Sequence, residues 1–248
     1  MKWSHLAVLA AALIAAFGSG AAAESLELTG TLRDFKDSHG DMEYSRKSFG
    51  LRTGIVKSNL GADKKPVFNT RYNRGNYSYA MITSKDTFDQ WFRNVDGVNK
   101  SVPYTIVLED TDSDGIFRYQ RSKHNNKSFF PLDGQLYGNQ GRSHNYHFTY
   151  EIHTKFTYSD PDSRDYEMNF QFSGDDDVWV YVNNTLVVDL GGVHSEEFGS
   201  VNLDNLAEQL GLEPGKTYDF DFFFAERHTT ESNFTLETTI QFLSPLYD

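Results

Sequence analysis

Three carboxylates stand in a row at Asp175, Asp176 and Asp177, directly before the apolar run Val178-Trp179-Val180-Tyr181-Val182. Adjacent negative groups at the mouth of a buried strand repel one another, and a cation or basic side chains must offset that cost. Oxygen donors without His or Cys favour Ca²⁺ over Zn²⁺. A solvated acidic turn is the plain alternative for such a run. Two further segments bear on the choice. Asp189-Leu190-Gly191-Gly192-Val193-His194 closes the next strand pattern with a glycine pair and a polar tip. Glu226-Arg227-His228, continued to Asn233, crowds polar groups between two apolar strand patterns. An ordinary hairpin needs no such set. A structural ion pair, Glu226 with Arg227 or Arg227 with one of the three Asp, is the competing reading of that segment.

Other motifs carry less. Asp110, Asp112, Asp114 and Gly115 resemble the start of an EF-hand loop, but the twelfth position is Arg121 rather than Glu and an apolar strand precedes it, so that reading fails. A surface Ca²⁺ loop or a solvated hairpin turn remain there. His144 and His147 lie three apart in a strand pattern, which sends them to opposite faces and argues against a shared metal. Glycosylation sequons begin at Asn76, Asn99, Asn126, Asn183 and Asn233. Glycoside hydrolysis could in principle use Asp176 and Glu226, yet adjacent carboxylates without an apolar pocket signature suit ion binding better. No GxSxG elbow, HExxH pair or phosphate loop occurs. The expectation is that the chain is not an enzyme.

The elements that must position these residues are mostly strands. Leu26–Leu32, Tyr104–Leu108, Phe148–Ile152, Met168–Phe172, Val178–Val182, Leu186–Leu190, Tyr218–Phe224 and Phe234–Phe242 alternate or run apolar. Asn183-Asn184 suits a hairpin turn with positive φ. Ser84–Val95 reads as a capped helix with Phe88, Trp91, Phe92 and Val95 on one face. Leu203–Leu210, ended by Gly211, reads as a second, short helix. Many short strands with few helices predict an all-β fold, one antiparallel β-sandwich with loop insertions and one or two short helices.

The segments GDDDVWVYVNNTLVVDLGGVH and FFFAERHTTESNFTLETTI, with LTGTLRDF, FDQW, FFPLDGQLYGN and HNYHFTYEI, resemble the fibro-slime domain family in its own order, over roughly Leu26 to Phe242. That family is similar to the protective-antigen-type β-sandwich. The resemblance implies a calcium-dependent carbohydrate-binding or adhesion role. It implies that two consecutive Asp joined by a cis peptide hold Ca²⁺, here Asp175 and Asp176, and that a later loop, here Glu226–Asn233, completes the site, with Asn233 its side-chain candidate. Asp177 stands where wider relatives often have Gly and joins the candidate metal set. Glu226, Arg227, His228, His194 and Trp179 are the candidate ligand-binding residues; for Trp179 a core role competes, and each His is equally a structural loop residue.

Composition sets the frame. The chain has 248 residues, no cysteine, 15% aromatics and a net charge of −12. Aromatic wealth argues against disorder, and the absence of Cys excludes disulfide scaffolds and thiol chemistry. The negative balance argues against nucleic-acid or anionic-membrane partners. Residues 1–23, with Lys2, the apolar run Leu6–Phe17 and Ala21-Ala22-Ala23, read as a secretory signal peptide. The remainder, 24–248, is expected as a single exported domain with no membrane insertion. Its expected partner is a glycan or polysaccharide, bound with Ca²⁺. The alternative is a structural matrix or surface protein in which the ion only rigidifies loops.

Overall fold

The computed structural model describes residues 24–43, 49–70 and 77–243. The proposed signal peptide lies outside the described residues. Eleven strands form: β1 (Glu24–Phe35), β2 (Asn99–Asp110), β3 (Phe117–Arg121), β4 (Phe148–Thr157), β5 (Asn169–Gly174), β6 (Asp177–Val182), β7 (Thr185–Leu190), β8 (Glu197–Asn202), β9 (Thr217–Glu226), β10 (Phe234–Thr238) and β11 (Phe242–Leu243). Two α-helices accompany them among the described residues, α1 (Lys85–Phe88) and α2 (Leu203–Leu210).

Every strand pairing is antiparallel, in the order β7-β6-β9-β4-β1-β2-β3-β10-β5-β8, with β11 on β4. This one ladder folds over on itself into two facing layers. Phe172 of β5 packs 5.5 Å from Phe222 of β9, and Phe224 of β9 packs 5.3 Å from Phe234 of β10. The far ends nearly meet, since a Cβ added at Gly199 of β8 would touch Val188 and Leu190 of β7. The result is the antiparallel sandwich that the alternating patterns predict.

Period two explains why the middle strands are buried throughout. Val178, Val180 and Val182 of β6 and Phe220, Phe222 and Phe224 of β9 enter the core between the layers. Trp179, Tyr181, Phe223 and Ala225 point the other way and would be bare on a two-layer sandwich. They are covered instead by Ile55, Val56, Phe68, Ile82, Phe88, Trp91 and Phe92, a second cluster supplied by the segment between β1 and β2. That insertion is thus a third layer over β6 and β9.

The helix expected over Ser84–Val95 is one turn long. Ser84 caps it, accepting from Thr87 N while Thr87 Oγ1 accepts from Ser84 N. Beyond Phe88 the carbonyls find other partners: Asn99 Nδ2 donates to Gln90 O and Arg93 O, and Thr149 Oγ1 donates to Trp91 O. The spacing of Phe88, Trp91 and Phe92 reflects shared burial, not a continuous helix. By contrast α2 runs as expected, with Asn202 as N-cap and Gly211 at φ 64 as C-cap. Asn183 and Asn184, at φ 47 and 64, make the β6–β7 hairpin turn.

A charge cluster joins the insertion to the sheet. Glu151 of β4 takes Arg33 Nη1 at 2.8 Å and Lys65 Nζ at 2.6 Å, and His153 Nδ1 lies 2.6 Å from Asp221 Oδ1. Burial pushes the Glu151 carboxyl up, but His153, Arg33 and Lys65 outweigh it and hold it at about 2. A carboxyl depressed on folding contributes stability above its unfolded pKa and loses it as pH falls toward the folded value. We expect the stability advantage of wild type over Glu151→Gln to be full above about pH 4.5 and to shrink toward pH 2. Thermal midpoints across that range test this, and a difference independent of pH would refute it.

Candidate functional site

Asp175 and Asp176 form the whole connection between β5 and β6, where the chain crosses from one layer to the other. The end of β9, the start of β10 and the β7–β8 loop gather at the same end of the sandwich. Gly174 makes the crossing tight, because a Cβ there would fall 2.4 Å from Asn233 O. The side chains of Asp175 and Asp176 form part of the wall of an open cleft of about 540 Å³. Phe49, Lys123, His194, His228 and Glu231 complete much of that wall.

Both carboxylates are buried, with 4% and 3% of their surface exposed. Asp175 Oδ2 accepts from Asn233 N at 3.0 Å and Asn233 Nδ2 at 2.6 Å, while its Oδ1 is buried with no hydrogen-bond partner among the described residues. Asp176 accepts from His194 N at 3.3 Å and Arg227 N at 2.8 Å. Burial first, then neighbouring acids, push Asp175 up to about 6 despite the Asn233 bonds. Asp176 is pushed up to about 7 by burial, with Arg227 opposing and Asp177 and Asp175 adding. Glu226 is wholly buried and displaced well above the usual carboxylate range by burial and the Asp176 charge. Three acids therefore share a place that disfavours their ionised forms.

The peptide bond between the two Asp is trans, since none among the described residues is cis. This corrects the cis link that the resemblance implied. Asp176 instead takes φ 58, a left-handed conformation in which its carboxylate receives the amides of two loops.

The third Asp has a different fate. Asp177 Oδ2 lies 2.6 Å from Arg227 Nε and its Oδ1 accepts from Gly192 N at 2.6 Å, so it is not a free metal ligand. Arg227 is also fully buried, which corrects its place among ligand-binding residues. It donates to Met81 O at 2.7 Å and its guanidinium lies 4.6 Å from the Trp91 ring. Burial would pull its pKa down, but Asp177 holds the charge in place. Trp179 is likewise corrected: it stacks on Trp91 at 6.1 Å under the insertion, and its Nε1 donates to Asp189. Glu226 is fully buried and is not part of the cleft wall. Asn233 is buried, its Nδ2 turned to Asp175 and its Oδ1 taken by Lys123 N at 2.8 Å.

Four candidates reach the cleft, namely Asp175, Asp176, His194 and His228. Phe49, Lys123 and Glu231 join them without having been singled out as ligand contacts. Phe49 is half-exposed and packs edge-on to His228 at 4.9 Å. Among the described residues, no three His, Asp or Glu side chains are grouped to hold a metal by themselves. The donors present are hard oxygens, and the unpartnered Asp175 Oδ1 fits a hard cation completed by backbone oxygen or water.

The other motifs are accounted for by internal bonds. Asp110 accepts from Asp114 N and Gly115 N, and Asp114 pairs with Arg118, so the 110–115 loop closes on itself. His147 is buried against Glu43, whereas His144 stacks on Phe130 and bonds Asp133, so the two rings have different partners.

Residues 131–244 match the model of the PA14 domain. The chain is 42% identical over 213 residues to protein psiQ of Dictyostelium discoideum, covering 80% of this chain and 20% of psiQ. It is 39% identical over 238 residues to protein psiC of the same organism, covering 90% of this chain and 43% of psiC. The chain thus spans from a fifth to under half the length of these relatives. Among solved structures, the crystal structure of the PA14 domain of MpAFP antifreeze protein aligns with a TM-score of 0.29 and 11% identity, over 51% of this chain and 66% of that one. No helix of the described residues is long and apolar enough to cross a membrane.

Proposed function

We propose, taking the PA14 match over residues 131–244 as premise, that this chain is an exported glycan-binding or adhesion module of the fibro-slime kind that depends on Ca²⁺. One observation carries the reading. Two consecutive Asp residues, Asp175 and Asp176, are buried yet wall an open cleft, and Asp175 Oδ1 has no hydrogen-bond partner among the described residues. Burying such charge without compensation is costly, and a hard cation offsets it. Bound there, Ca²⁺ would supply coordination positions that take vicinal hydroxyls in place of water. His228 and the buried His194, whose Nδ1 is engaged by Ser195 O, are part of the wall, and Phe49 offers an apolar face to a sugar ring.

A second reading has its own support. Asp175 and Asp176 already tie three loops, through Asn233, His194 and Arg227. An ion there could serve only to stiffen them in a matrix or surface protein. Calorimetric titration with Ca²⁺, then a glycan array with and without chelator, separates the two. The proposal expects Ca²⁺ binding and glycan signals that chelator removes. Ca²⁺ binding with no chelator-sensitive glycan would leave the matrix role, and no Ca²⁺ binding would sink both.

A further inference from the structure

We infer that Asn126 is the asparagine that carries an N-linked oligosaccharide. Five sequons are present, at Asn76, Asn99, Asn126, Asn183 and Asn233; those at Asn183 and Asn233 lie inside the family-like motifs and read as structural, and sequence alone does not rank the other three. The structure goes further. A bulky hydrophilic glycan must leave the fold through solvent, and the amide that bears it must not be needed inside. Asn233 is fully buried and its Nδ2 donates to Asp175. Asn99 is buried, with Nδ2 donating to Gln90 O and Arg93 O and Oδ1 accepting from Val95 N. Asn183 Nδ2 donates to Leu210 O at the end of α2 and lies 4.0 Å from where a Gly211 Cβ would sit. Asn76 lies outside the described residues.

Asn126 differs from these in its side chain. Like Asn183 it is exposed, at the C-cap of the 3-10 turn Lys123–Asn125, with φ 55. Only its backbone N–H is engaged, donating to Lys123 O, and its side chain has no hydrogen-bond partner among the described residues. Lys127 beside it is exposed as well. In the transfer, the Asn126 amide nitrogen bonds to the anomeric carbon of an oligosaccharide carried on a lipid diphosphate. The carbon–oxygen bond to the diphosphate breaks, the lipid diphosphate leaves with its electron pair, and the amide gives up one proton. No oxidant or reductant is needed.

The inference rests on residues 1–23 acting as an export leader, and it is independent of whether the cleft binds Ca²⁺ or sugar. The test is cell-free translation of the full chain with microsomes. Protease protection reports entry, and a gel shift reversed by an N-glycan-removing enzyme reports modification. Peptide masses after enzymatic removal, which turns a modified Asn126 into Asp, report the site. We expect a protected chain modified at Asn126, a loss of that signal in Asn126→Gln, and the same loss in Ser128→Ala, which keeps the left-handed Asn. Asn183→Gln, on the exposed hairpin turn, should leave it unchanged. A chain that fails to enter, or one that enters with Asn126 unmodified, overturns the inference.

Discussion

Arg227→Met is expected to destabilise the chain by about 3–5 kcal/mol, the cost of leaving one charge of a buried pair behind. Asp177 and Arg227 both have no exposed surface, and their 2.6 Å contact joins the first residue of β6 to the residue that follows β9. The same guanidinium holds Met81 O and covers the Trp91 ring. Trp91 Nε1 in turn donates to Asp41, whose other oxygen accepts from Thr83 N. One cation thus fastens the insertion to the sandwich at the floor of the candidate site. Methionine keeps much of the volume but strands the Asp177 carboxylate in an apolar setting. If that stranded charge is the cause, Asp177→Asn added to Arg227→Met should recover a large share of the loss, because its oxygen can still accept from Gly192 N. Denaturant unfolding of the two variants decides the matter. A single variant within about 1 kcal/mol of wild type would contradict it, since exposed ion pairs fall in that range.

The same residues show how far the sequence could be read. Alternation is a local property, so the two faces of β6 were legible, Val178, Val180 and Val182 on one and Trp179 and Tyr181 on the other. What covers the second face is not local. Residues some ninety positions earlier do so, and nothing near Trp179 distinguishes a covered tryptophan from one on a ligand platform. The strand β8 escaped notice because its pattern misleads: Phe198 is 60% exposed while Gly199 is buried against β7. Charge followed the same division. A row of three Asp signals electrostatic strain, but only the fold says that Asp177 faces an arginine while Asp175 keeps a bare oxygen. Period two at the strand's start puts Asp177 on the Trp179 face, toward the insertion, and the two residues before it belong to the crossing rather than to the strand. Phe49 and Lys123 reach the cleft from distant segments and left no signal in their neighbourhoods.

Asp176→Asn is expected to act in opposite directions with and without Ca²⁺. The left-handed backbone at φ 58 suits Asn as well as any residue but Gly, so the crossing between β5 and β6 should keep its course. The amide oxygen can still accept from Arg227 N at 2.8 Å, and only the longer contact from His194 N at 3.3 Å is lost. Removing the charge relieves the repulsion among Asp175, Asp176 and Glu226, so the metal-free protein should melt no lower than wild type. The proposed ion loses a carboxylate, and with it the stabilisation that binding confers. For wild type, Ca²⁺ at a hundred times its dissociation constant should add about 2.7 kcal/mol, and the variant should gain almost none at the same concentration. Thermal melts in chelator and in Ca²⁺, with calorimetry for affinity, separate these effects. An undiminished Ca²⁺ shift in Asp176→Asn would remove Asp176 from the site. A variant that melts well below wild type in chelator would instead mean that Asp176 is needed as an anion even without metal, bound through His194 and Arg227 as a structural anchor.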